Sequence, residues 1–139
     1  VIGDAPPPEK RRLARFLALG VLGAGGLAAL ALTLGAWAYH HRRYTLHDGR
    51  LGRLVEQKPR LREVTQALLD EPGNRTIDLP PSEDALRALA AEWSAAGADE
   101  VVAKKRRWPT LRIFGVGDMV YFLYFDDGGV LREYVLLGG

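Results

Sequence analysis

The chain has 139 residues, a formal net charge of +2 and no cysteine, so disulfides, thiolate catalysis, cysteine-ligated metal clusters and a lipidated cysteine are excluded within it. The basic pI of about 9.1 is local in origin. The charge is +4 up to Arg43 and −2 after it, which argues against nucleic acid and for anionic lipid headgroups beside the basic part. The heavy use of Ala, Leu, Arg and Gly points to a GC-rich bacterial source.

Residues 1–12 read as a short basic tail, followed by a transmembrane helix over 13–41. Its core, Phe16 to Tyr39, is uncharged and apolar. Those 24 residues span about 36 Å as a helix, enough for a hydrocarbon core of about 30 Å. Arg11, Arg12 and Arg15 on one side, Arg42 and Arg43 on the other, and Trp37 and Tyr39 at the aromatic-belt position are the expected interface anchors. The small residues around Trp37, Ala36 and Ala38, also resemble a signal-peptide cleavage site, but the apolar run exceeds the ~15 residues of such a segment, so a retained anchor is predicted. Gly20, Ala24, Ala28, Ala31 and Gly35 recur on one helical stripe, the pattern that lets two helix backbones approach closely in lipid. No ionisable residue interrupts the span, which leaves no side chain for a proton relay or a mid-bilayer ligand.

Residues 42–58 read as a juxtamembrane connector with strand signals at 44–46 and 51–55 around a His47-Asp48-Gly49 turn. A small α+β domain is predicted over 59–139, with two or three helices and an antiparallel β-meander. Its first helix fits Pro59 to Leu69, and Thr76 to Leu79 follows as a short strand. Ser82 caps the next helix, with Leu86, Leu89, Ala90 and Trp93 on its buried face and Gly97 as its stop. Asp99 to Arg107 forms another short helix. Leu111–Val116, Met119–Phe125 and Val130–Leu137 are strands joined by Gly-rich turns. Met119–Phe125 is apolar on both faces, so it is expected at the centre of the sheet, its second face covered by a partner or by the early strands.

The last hairpin, with Tyr124-Phe125-Asp126 leading to Gly129-Val130-Leu131, is similar to one in the small envelope lipoproteins that accompany the outer-membrane β-barrel assembly machine. The resemblance covers about the final 20 residues and implies a helix-plus-meander fold. The chain departs from that family in having no lipidated cysteine and in carrying a membrane helix.

Chemistry-bearing patterns are few. His40, His41 and His47 fall together with Asp48, yet adjacent histidines on a helix point apart, so headgroup-directed snorkelling is expected rather than metal ligation. Gly115-Val116-Gly117-Asp118 lacks the third glycine and the following helix of a dinucleotide loop and reads as a tight turn. Asp126 and Asp127 are turn formers, and the serines, Ser82 and Ser94, sit on helices without a partner histidine. Lys104, Lys105, Arg106, Arg107 and Trp108 make the one dense basic cluster of the domain, a candidate docking patch. No enzyme and no cofactor is expected. The pattern suits a single-pass accessory subunit of a larger complex in the bacterial inner membrane, with membrane lipid and integral membrane subunits as partners and the domain on the periplasmic side. The alternative is a membrane-tethered envelope module that captures a soluble partner on its sheet.

Overall fold

A computed structural model describes Gly3 and residues 8–138, and the chain divides into two units at Arg42/Arg43. Much of the expected basic tail (residues 1, 2 and 4–7) lies outside the described residues, as does residue 139. Helix α1 begins at Pro8, whose fixed φ and missing N–H suit a first helical turn, so Pro8 to Arg12 is helix rather than tail. It continues to Glu56. In the first unit no residue of its apolar window is buried, and it is the one helix among the described residues long and apolar enough to cross a membrane.

The 44–46 and 51–55 strands expected from the sequence are absent, replaced by the last turns of α1. Gly49 and Gly52 each lower helix propensity by about 1 kcal/mol relative to alanine, which disguises the helix in the sequence. Burial of Leu51 and part-burial of Leu54 and Val55 on the sheet outweigh that cost. The segment expected to be a connector is thus part of the domain. Lys58, two residues after the helix ends, adopts a left-handed φ of 49°, and Pro59 cannot extend the helix.

The second unit also contains α2 (Leu61–Leu69), β1 (Asn74–Ile77), α3 (Glu83–Trp93), α4 (Ala95–Arg107), β2 (Thr110–Val116), β3 (Met119–Phe125) and β4 (Leu131–Gly138). The described residues thus give an α+β fold of four helices and one four-stranded antiparallel sheet, ordered β1-β2-β3-β4. Pro59 stands before α2 rather than within it. There the Arg60 N–H donates to Glu63, and the Leu61 N–H and Leu131 N–H exchange bonds with the Gly129 and Pro59 carbonyls, tying α2 to the last hairpin. Ser82 caps α3 as expected, accepting from the Ala85 N–H at 3.1 Å. Gly97 does not stop α3. Ser94 ends that helix and caps α4, accepting from the Gly97 N–H, so Gly97 lies in the first turn of α4. A side chain at Gly97 would meet Leu137, so glycine there permits close approach of α4 to β4.

β3 is buried along its whole length. Met119, Tyr121, Leu123 and Phe125 face one apolar cluster, with Leu51 of α1 and Val64 and Leu68 of α2. Val120, Phe122 and Tyr124 face a second, with Leu86 and Ala90 of α3 and Ala98 and Val101 of α4. The second face, expected to be covered by a partner or by early strands, is covered by helices of the same chain. Gly117, with φ of 63°, takes the first position of the two-residue β2–β3 turn that only glycine occupies without strain.

Candidate functional site

Two places in the molecule bring the sequence-derived residues to a surface, one in each unit. On α1, at about 100° per residue, Gly20, Ala24, Ala28, Ala31 and Gly35 fall within an arc of about 80°, while Leu19, Leu22, Leu30 and Trp37 point elsewhere. A methyl group added at Gly20 or Gly35 would touch nothing within 4 Å, so the shallow stripe is open. Arg11, Arg12, Arg15 and Arg42 are exposed on the flanks of the apolar window. Trp37 stacks on His41 with ring centroids 5.2 Å apart, and Tyr39 meets His40 edge-on at 5.7 Å. Arg43 is placed differently from the other expected anchors: it lies in the second unit and pairs with Asp118 at 3.0 Å.

The cluster at the end of α4 is largely matched by carboxylates. Lys104 pairs with Glu100 at 3.1 Å and donates to the Tyr134 carbonyl, Arg106 forks onto Glu83, and Arg107 and the Trp108 indole N–H both bond Glu133. Lys105 and the Arg106–Glu83 pair line an open cleft of about 450 Å³ with Leu79, Pro80, Pro81, Ser82 and Leu86. The patch is therefore a mixed-charge surface beside a partly apolar cleft. The Arg106 hydrogen bond holds the Glu83 carboxyl below its ordinary range, so this pairing persists at mildly acidic pH. Such exposed pairs are screened by water and position side chains more than they stabilise the fold.

A third place, also in the second unit, is a polar seam that sequence patterning did not reveal. On the 43–56 turns of α1, Tyr44 donates to the Leu136 carbonyl at 3.3 Å, His47 Nδ1 bonds the Tyr121 hydroxyl, and Tyr134 donates to Asp48 at 2.6 Å. Arg50 makes a two-point bond with Glu71, which also accepts from Asn74. His47, expected to snorkel toward headgroups, instead lies against the sheet. Burial pushes the Tyr121 hydroxyl above its ordinary value, and burial together with Asp48 pushes Tyr134 to about 12, so both keep their protons. Burial, then Arg43 and Arg50, pull His47 below its ordinary value. Residues 44, 47, 48, 51, 54 and 55 follow helical spacing, the one signal in the sequence that marks this face. Their polar members masked it.

No group of three or more His, Asp or Glu side chains converges as a metal site among the described residues. The Gly117-Asp118 turn joins two strands and opens no helix. Asp126 turns its carboxylate to the Val130 N–H, Arg132 and the Gly128 N–H, which hold it below its ordinary range. No known protein family, curated protein or solved structure matches the chain. The likeness of the last hairpin to the assembly-machine lipoproteins therefore stands on that hairpin alone.

Proposed function

We propose that this chain is a single-pass accessory subunit of a larger complex in the bacterial inner membrane, acting by helix packing and protein–protein docking rather than by catalysis. The observation that carries the reading is the exposed, uncharged apolar surface of α1 with its open stripe at Gly20, Ala24, Ala28, Ala31 and Gly35. An apolar surface of that length is unfavourable in water, and lipid removes that penalty without favouring any helix–helix contact. Glycine in a helix costs about 1 kcal/mol relative to alanine, a cost that close packing against an integral membrane subunit offsets. Lipid and anionic headgroups meet Arg11, Arg12, Arg15, Trp37, Tyr39 and Arg42, and the surface around Lys105, Arg106 and Trp108 docks a protein neighbour.

Extraction in mild detergent tests this reading. The chain is expected to run at the mass of an assembly, well above its own 15.3 kDa plus micelle. Migration alone would favour a tethered binding module. That module would have to use an edge of the sheet, since helices cover both faces.

We place residues 43–139 on the periplasmic side, with the clustered Lys10, Arg11, Arg12 and Arg15 retained in the cytoplasm. Protease added to intact spheroplasts is then expected to degrade the domain. Protection until lysis would put the domain and its partner on the cytoplasmic side.

A further inference from the structure

We propose that the 43–56 segment of α1 is held on the sheet by an acid-labile latch, released when His47 takes a proton at the nitrogen that accepts from the Tyr121 hydroxyl. Tyr121 is completely buried, and its hydroxyl has no other hydrogen-bond partner among the described residues. Because the phenol keeps its proton, its O–H donates and His47 Nδ1 accepts, which places the imidazole proton on Nε2. A second proton, on Nδ1, removes that acceptor and leaves a buried O–H without one.

The surrounding charges oppose the same step. Arg43 and Arg50 stand four residues before and three after His47 on α1, and like charges at that spacing repel. The carboxylates facing it are Asp118 on the β2–β3 turn and Glu71 between α2 and β1, and each is already matched by one arginine, Asp118 by Arg43 and Glu71 by Arg50. β4 brings no free counter-charge: Glu133 is engaged by Arg107 and Trp108, and Tyr134 by Asp48. An imidazolium therefore adds an unmatched cation at a partly buried contact. The folded chain binds this proton more weakly than the unfolded chain does. The latch contribution is therefore complete above the ordinary histidine value of 6.5 and is lost as pH falls below it through the lowered value.

The test uses the full chain in detergent micelles. Amide hydrogen exchange over residues 46–55, corrected for its intrinsic pH dependence, is expected to lose several-fold protection between about pH 7.5 and about pH 5. His47→Asn, whose amide oxygen is attached to Cγ as Nδ1 is and does not titrate, is expected to keep its protection across that range. The His47 imidazole itself, followed by NMR in the unsubstituted chain, is expected to titrate below 6.5. Unchanged protection of the unsubstituted chain at both pH values overturns the latch. So does an equal loss in His47→Asn, or an imidazole midpoint at or above 6.5. Should the variant fail to fold, the imidazole titration decides alone.

Discussion

A chain carrying Tyr121→Asp is expected to lose the folded 43–139 domain, and Phe122→Asp is expected to lose it equally. The two residues are adjacent on β3 and point to opposite sides of the sheet, each with no exposed surface. Truncating a buried aromatic side chain costs about 3–5 kcal/mol from lost transfer and cavity terms. An aspartate at either place adds an unpaired buried charge, worth several kcal/mol more unless it takes a proton. A domain of this size has about 5–15 kcal/mol in total, so either change takes most of its stability. The two clusters share only the one sheet, so damage to either face removes the support of the other. Near-UV circular dichroism and protease resistance read the outcome. Thr76→Asp, exposed on β1, serves as the control and is expected to shift stability by about 1 kcal/mol or less, the range of strand propensity. A folded domain in either β3 variant would mean that one face of the sheet is not part of the core.

Replacing Ala24 and Ala28 together by leucine is expected to strip the chain from its assembly in mild detergent, while Leu22→Ala is expected to leave the assembly intact. Leucine extends each position by an isopropyl group in the middle of the stripe, where Gly20 and Gly35 leave the helix surface shallow. Association in lipid relies on van der Waals contact, which weakens steeply once backbones are pushed apart by an ångström or more. Both substitutions keep helix propensity and apolarity, so insertion into the membrane is unaffected and the readout isolates packing. Leu22 lies off the stripe and tests whether simple loss of apolar surface matters. An assembly that survives the double substitution would show that the small residues do not form the contact.

Several features of this protein were determined by short-range information in its sequence. The length and apolarity of Phe16–Tyr39 suffice for one long exposed helix, because helix hydrogen bonds close within four residues. Ser82 before two acidic residues marks the start of α3, and the Gly117-Asp118 and Asp126–Gly129 turns mark the ends of β3. The run Met119–Phe125 admits no polar face, so its burial on both sides follows from composition alone.

Tertiary structure alone decided what covers that second face, and the reason is the distance along the chain between partners. His47, Asp48 and Arg50 read as turn or surface residues until Tyr121, Tyr134 and Glu71 are placed beside them, the first two more than 70 residues away. Those bonds, with Leu51 beneath them, make 44–56 a helix despite Gly49 and Gly52 and bring it into the domain. The same holds at the end of α4. A run of four cations looks like a bare basic patch in sequence, whereas Glu83 and Glu133, 23 and 26 residues from Arg106 and Arg107, neutralise much of it in the fold. Local propensity records neither kind of contact, because each one exists only after the sheet has brought distant segments together.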